Sequence, residues 1–319
     1  MKALTFSDFG AADVLEYQEI PKPQPVTHEV LVEMKAIGLN YADIYRRRGN
    51  YHLKGSPPYI AGYEGAGVVI ESKSQLYPVG SRVAFADVPF ANAEYVVVPE
   101  HHIIPLQDHV PFELAASVLL QGLTAHYLCH DSYAVKAGDI ALVHAAAGGV
   151  GQLLSQMVKL MGGTVIGLTR KEEKLALLEK IGIEYPLLLD ANWKKKVSGI
   201  SHNRGVDVVF DSVGSTLADS LSLSRTGGTT VFYGMSGGDP APVDPRMLMD
   251  SSKKLVGGDL WNYLTSAFER KRRANQIFQW ILNEQLVVNP PVKFSLAEGR
   301  AAHEYLESGQ SAGKVLLIP

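Results

Sequence analysis

The sequence predicts an α/β chain in which a doubly wound parallel-sheet domain is inserted between two halves of a β-rich domain. Three observations carry this expectation. The first hundred residues are short strand-like runs separated by turns. From about residue 111 onward, apolar strands alternate with helical segments. The chain closes on KVLLIP, a strand that the alternating region does not need because its own sheet is already complete.

The chain has 319 residues, long for one core, with 46% hydrophobic and 20% charged residues. These are the proportions of a globular protein of two domains. A net charge of −3 gives no basic excess for a nucleic-acid surface. The short basic runs at 46–48, 194–196 and 270–273 read as solvated helix faces. Cys129 is the only cysteine, so neither an intrachain disulfide nor a multi-cysteine zinc site can form. The N-terminal MKALTFSDFG lacks the features of a signal peptide, and no apolar run approaches the roughly 20 residues that span a bilayer. A cytoplasmic protein with no membrane or nucleic-acid partner is the expectation.

Along the first hundred residues, VLEYQEI, EVLVEMKAIGL, GAGVVIES, SRVAFA and AEYVVV are rich in Val, Ile, Tyr and Phe, and ADIYRRRG at 42–49 is the one helical pattern. PFELAASVLLQGLTAHYLC then has the apolar spacing of a buried helix. Strands DIALVHA, TVIGLT, EYPLLL, VDVVFDSV, GTTVFYG and KKLVGGDL follow, with helices GVGQLLSQMVKLM, KEEKLALLEKIG, ANWKKKVSGI and TLADSLSLS between them. These strands are nearly continuous apolar runs, as expected where helices cover both faces of a parallel sheet. A long helix over 262–286, a strand VKFSL, a helix AEGRAAHEYLES and the terminal strand complete the chain. Residues 1–118 and 261–319 are therefore expected to form the β-rich domain, and residues 119–260 the inserted one.

The stretch HAAAGGVG at 144–151 follows a strand and opens a helix, and Ala146, Gly148 and Gly151 keep the spacing of the dinucleotide fingerprint. Small residues there let backbone N–H groups of Gly148, Gly149, Val150 and Gly151 approach a pyrophosphate at the helix N-terminus. The acid that would bind an NAD ribose is expected about 20 residues further on. That place holds Thr169 and Arg170, with Lys171 and Lys174 close behind. A carboxylate would repel a 2′-phosphate, whereas a guanidinium, an ammonium and a hydroxyl attract it, so the expected cofactor is NADPH. Glu172 and Glu173 interrupt the basic run, and at least one is expected to face solvent. DSVGS at 211–215 and FYGMSGG at 232–238 end two later strands, which places Val213, Tyr233, Gly234 and Ser236 along the dinucleotide, with Gly237 and Gly238 as turn formers.

With these segments in hand, the chain resembles the zinc-free quinone oxidoreductase, or zeta-crystallin-like, branch of the medium-chain dehydrogenase/reductase superfamily. The resemblance is carried by AIGLNYADIYRRRGNY at 36–51, GYEGAGVV at 62–69, QGLTAHYL at 121–128, HAAAGGVGQ at 144–152, VFDSVG at 209–214, FYGMSGG and the tail GKVLLIP. It implies a Rossmann domain inserted in a GroES-like catalytic domain, and a homodimer. Zinc-dependent relatives carry cysteine where this chain has Asn40 and histidine where it has Tyr63, and neither replacement is a good zinc ligand. The pair His101–His102 does not replace them, since neighbours in a strand point to opposite faces.

The resemblance further implies that Asn40, Tyr45 and Tyr51 line the acceptor site, where an amide N–H and phenolic O–H groups can hold a carbonyl oxygen as it gains charge. Asp43 also matches the family, and a helix-start role explains it equally well. The resemblance places Thr124, Gly149, Val150, Thr169, Lys174, Tyr233, Gly313 and Lys314 on the cofactor. Many relatives have a tyrosine at the end of the third Rossmann strand, where this chain has Leu189 or Asp190. The expected activity is NADPH-dependent reduction of a quinone or related conjugated carbonyl without a metal. Reduction of the C=C bond of an enone or enoyl thioester is the alternative on the same scaffold. A non-catalytic NADPH-holding crystallin, or an RNA-binding protein, is the alternative of another class. Arg170→Ala is expected to weaken NADPH binding more than NADH binding; equal losses would show that Arg170 does not read the phosphate.

Overall fold

A computed structural model describes residues 1–319. The chain divides into two compact units, one of residues 1–120, 264–276 and 289–319, the other of residues 121–263 and 277–288. No helix is long and apolar enough to cross a membrane.

The first unit opens with β1 (Lys2–Phe6), β2 (Glu16–Glu19), β3 (Glu29–Leu39) and α1 (Tyr41–Arg47). Strands β4 (Tyr59–Ile60), β5 (Gly65–Ser72), β6 (Arg82–Phe85), β7 (Tyr95–Pro99) and β8 (Ile104–Pro105) follow, and α2 (Phe112–Tyr127) leads the chain into the second unit. β3 is the spine of this unit. It pairs antiparallel with both β5 and β7, and most of its residues are buried. Its Val30, Val32, Ile37 and Leu39 pack with Leu4, Phe6, Val69, Val83, Phe85 and Val98 in one core. β-branched side chains suit this doubly covered, pleated surface.

The second unit alternates regularly: β9 (Ile140–Val143), α3 (Gly149–Leu160), β10 (Thr164–Thr169), α4 (Leu175–Lys180), β11 (Tyr185–Leu188), α5 (Trp193–Ile200), β12 (Val206–Asp211), α6 (Leu217–Leu223), β13 (Ser224–Phe232), α7 (Pro245–Ser251) and β14 (Lys254–Gly257). The strand order is β11-β10-β9-β12-β13-β14, and every neighbouring pair is parallel. This is the doubly wound sheet expected from the alternation. Its order reverses between β9 and β12, which makes the carboxyl ends of those strands the natural ligand crevice.

The chain ends with α8 (Ala267–Leu282), β15 (Val292–Ser295), α9 (Gly299–Glu307) and β16 (Val315–Ile318). β16 pairs antiparallel with β3 and parallel with β15, so the tail joins the sheet of the first unit. The long helix departs from the expected boundary at 261, because residues 277–288 belong to the second unit. There Trp280 stacks near His126 and His130, and Gln156 bonds the backbone of Val287 in both directions. Two further differences are local. Glu100–His102 is a 3-10 turn rather than a strand, with His102 Nδ1 2.8 Å from Asp87 Oδ1. α7 was not foreseen, although Asp244 caps it by accepting from Arg246 N and Pro245 opens it.

One buried carboxylate ties the amino ends of the Rossmann strands together. Asp207 of β12 accepts from Ile140 N of β9 at 2.9 Å, from Arg204 at 3.0 and 2.7 Å and from Arg225 at 2.6 Å. Burial opposes its charge, but the guanidinium groups and the backbone N–H prevail and hold its pKa down to about 2, from an ordinary 3.8. A depressed carboxyl contributes stability that is present above its unfolded pKa and is lost as pH falls through its folded one. Asp207→Asn should therefore lower resistance to urea at pH 7, and the gap to the wild type should close as the pH falls from about 4 toward 2. An unchanged denaturation midpoint at pH 7 would deny Asp207 this role.

Candidate active site

In the first unit the site is built where three strands end. The antiparallel register of β16 on β3 pairs Val315 with Leu39, which brings Lys314 next to Asn40. The register of β5 on β3 pairs Gly65 with Ile37, which brings Glu64 next to Gly38. The three side chains bond one another. Lys314 Nζ donates to Asn40 Oδ1 at 2.7 Å and to Glu64 Oε2 at 2.5 Å. Asn40 Nδ2 donates to Glu64 Oε2 at 2.8 Å and to Gly38 O at 3.3 Å, while Glu64 Oε1 accepts from Leu120 N at 2.7 Å. The Lys314 and Glu64 side chains are 2% and 0% exposed. Gly38 has a steric reason: a Cβ there would collide with Glu64 Oε2.

Asn40 is also the N-cap residue of α1, and its N–H donates to Asp43 Oδ2 at 2.9 Å. Asp43 Oδ1 accepts from Arg46 at 2.9 Å, and the Arg46 guanidinium lies 3.6 Å over the Tyr63 ring and 5.1 Å from that of Tyr51. Burial pushes the Asp43 carboxyl up, with Arg46 pulling it back. Burial also raises the Tyr63 phenol, which keeps it protonated. Outward from this base runs a chain of rings. Tyr41 and Tyr45, one helical turn apart, are 5.3 Å between centroids, and Tyr45 and Tyr51 are 6.1 Å apart, both pairs edge-on. All three tyrosines are half-buried, so each has a buried flank and an accessible edge.

In the second unit, α3 starts at Gly149 with Gly148 as its N-cap, a residue with no side chain to cap the first turn. The N–H groups of Gly149, Val150 and Gly151 therefore lie at the positive end of a 12-residue helix. A Cβ on Gly151 would collide with Ala145 O and lie 2.7 Å from Ala146 Cα, so the loop closes tightly only because that residue is glycine. At the end of β10, Thr169 is buried, Arg170 exposed and Lys174 half-buried, whereas Glu172 and Glu173 both face solvent. Burial lowers the Lys174 ammonium, and the charges of Lys171 and Arg170 lower it further. The four residues form a crowded cationic corner that an anion would relieve. Asp190 is held low by Lys196 and by the Asn192 N–H, so its charge is turned to partners of its own.

The loops after β12 and β13 are zipped together. Tyr233 N donates to Asp211 O, Ser236 N and Oγ to Ser212 O, and Gly237 N to Val213 O. Beneath them Asp211 Oδ1 accepts from Val213 N at 2.8 Å and Gly214 N at 3.1 Å, and Oδ2 accepts from Ser220 Oγ at 2.6 Å. Burial works against the Asp211 charge, yet His144 and these hydrogen bonds hold the carboxyl below its usual range. Burial pushes His144 down to the neutral form. Since Ser220 gives its proton to Asp211, His144 Nε2–H donates to Ser220 Oγ over 2.9 Å. Asp211, Ser220 and His144 thus join the loop after β12 to the residue that opens the glycine loop.

The structure gathers Asn40 with Lys314, although the resemblance puts Lys314 on the cofactor. Thr124 lies half-buried on α2, and Gly313 precedes Lys314 in the strand lead-in. Glu64 and the Asp211–Ser220–His144 relay went unforeseen as site residues. Glu64 sits inside GYEGAGVV and Asp211 inside VFDSVG, but only their buried positions give those acids meaning. Zinc does not fit here. The Asn40 carboxamide is engaged at both ends, Tyr63 holds its proton, and no three His, Cys, Asp or Glu side chains gather as a metal site.

Residues 26–108 match the alcohol dehydrogenase GroES-like domain family, and residues 149–272 the zinc-binding dehydrogenase family. A probable quinone oxidoreductase of Schizosaccharomyces pombe is 35% identical over 98% of this chain and 95% of its own length. The chain belongs to the quinone oxidoreductase branch of the medium-chain dehydrogenase/reductase superfamily. A 2-haloacrylate reductase of a Burkholderia species is 32% identical over 97% of this chain and 96% of its own. Among solved structures, the Escherichia coli quinone oxidoreductase complexed with NADPH superposes with a TM-score of 0.95 at 31% identity, covering 100% of both chains. Within this family's scaffold, the relay under the loops has a measurable worth. Ser220→Ala would leave the His144 N–H buried without an acceptor, at a cost of about 1–3 kcal/mol in unfolding free energy by urea titration. A loss under about 0.5 kcal/mol would show that the contact carries little.

Proposed function

We propose that this protein is an NADPH-dependent quinone oxidoreductase that reduces a quinone or related conjugated carbonyl without a metal. The observation that carries the reading is the cationic corner of Thr169, Arg170, Lys171 and Lys174, set at the end of β10 next to a glycine loop that closes too tightly for a side chain. The full-length quinone oxidoreductase relatives, one of them solved with NADPH, support it.

Bound NADPH supplies the hydride. The N–H groups of Gly149, Val150 and Gly151 hold the pyrophosphate, and Ala146 and Gly148 keep the loop low enough for it to approach. Arg170 and Lys174 hold the 2′-phosphate with the Thr169 hydroxyl. Thr124, Val213, Tyr233, Gly234 and Ser236 line the remainder of the dinucleotide, with Gly313 at the tail. Tyr45 and Tyr51 donate phenolic hydrogen bonds to the acceptor oxygen as it gains negative charge. Asn40 lines the same site, with its amide hydrogens directed to Glu64 and Gly38. The protein is read as a cytoplasmic homodimer on the strength of its family.

The relative named 2-haloacrylate reductase favours one second reading, reduction of an activated C=C bond on the same scaffold. A steady-state panel of 1,4-benzoquinone, a 2-alkenal and crotonyl-CoA, each with NADPH and NADH, ranks the two. Activity on the thioester alone would remove the quinone reading, and no NADPH oxidation with any acceptor would leave only a binding protein. Tyr45→Phe and Tyr51→Phe should each lower kcat for benzoquinone by about tenfold, the worth of one hydrogen bond formed to developing charge, with NADPH affinity unchanged.

A further inference from the structure

The buried pair Lys314–Glu64 is costly for what it contributes to stability. Taking an ammonium and a carboxylate out of water costs several kcal/mol per ion, and a well-packed apolar pair commonly serves a fold as well or better. Neither residue is near the other in sequence, and Gly38 must lack a side chain for Glu64 to reach its place. What an apolar pair could not do is orient an amide. Lys314 demands a carbonyl oxygen from Asn40, and Glu64 demands its N–H, so the carboxamide has one possible facing. Asn40 is also the residue from which α1 starts, through its backbone N–H to Asp43. Tyr45 sits on that helix, five residues on.

We propose that Lys314 and Glu64 are positioning residues for acceptor reduction: their buried ion pair orients Asn40 and sets the first turn of α1, and so places the Tyr45 phenol. The proposal rests on the quinone reductase reading above. It gives Lys314 a role in the acceptor site in place of the cofactor contact that the family resemblance implies.

Single neutralising substitutions would strand one buried charge and report mainly on folding. The test is therefore the double variant Lys314→Met/Glu64→Gln, which removes both charges and keeps similar volumes. Its thermal midpoint should stay close to the wild type and its NADPH Kd, by fluorescence titration, should change less than twofold. Its kcat for 1,4-benzoquinone should fall at least tenfold. Wild-type turnover in a folded double variant would show a purely structural pair and overturn the proposal. Weakened NADPH binding with kcat retained would assign Lys314 to the cofactor and overturn it equally. Should the double variant not fold, Glu64→Asp keeps both charges and draws the carboxylate back by one methylene. A fall in kcat at constant NADPH Kd then supports the proposal, and an unchanged kcat overturns it. Wild-type protein that oxidises no NADPH with quinone would remove the functional reading itself, and that result is seen before any variant is made.

Discussion

A buried ammonium facing a buried carboxylate is the constraint around which the first unit is arranged. Lys314 and Glu64 come from strands at opposite ends of the chain, and both register onto β3. With no water at that point, each charge is tolerable only because the other is there and because Asn40 and the Leu120 N–H complete the hydrogen bonding. The consequence is rigidity where chemistry needs it. α1 starts from Asn40, Asp43 and Arg46 continue the ionic chain beneath it, and the tyrosines stand on that footing.

The second unit uses charge in the opposite manner. Its cationic corner is left short of local carboxylates: Glu172 and Glu173 face solvent, and the nearest acid at the end of the third strand, Asp190, is occupied by Lys196. Lys174 is half-buried among like charges, which lowers its own affinity for a proton and raises its appetite for an anion. A site that is electrostatically uncomfortable when empty discriminates well between a phosphate and a hydroxyl. The relay of His144, Ser220 and Asp211 is the neutral-plus-anion counterpart beneath the loops. It carries no spare charge toward the ligand and serves to hold two turns in fixed relation.

Most of the fold was legible. The strands EVLVEMKAIGL, GAGVVIES and TVIGLT appear with the bounds their patterns suggest, because each is a run of apolar or β-branched residues closed by turns. The fate of the C-terminal strand was legible from strand economy alone. What escaped was either short or shared. α7 is only seven residues and polar, so its Asp-Pro start was its one signal. The long helix has apolar positions enough to be a helix throughout, yet no periodicity says that residues 277–288 pack with His126, His130 and Gln156 and not with the first unit.

The sequence by itself determined the two-domain plan, the glycine loop and the basic residues behind it, since local spacing and residue type write those features in adjacent positions. It also identified Asn40, Tyr45 and Tyr51 as a group, through one contiguous motif. Only the tertiary structure decided what Lys314 and Glu64 do, because residues 250 positions apart become partners through strand register, which no local pattern encodes. A lysine in a tail motif looks like a cation for a phosphate until burial removes it from water. Once there, it must bond the groups that the fold has placed beside it.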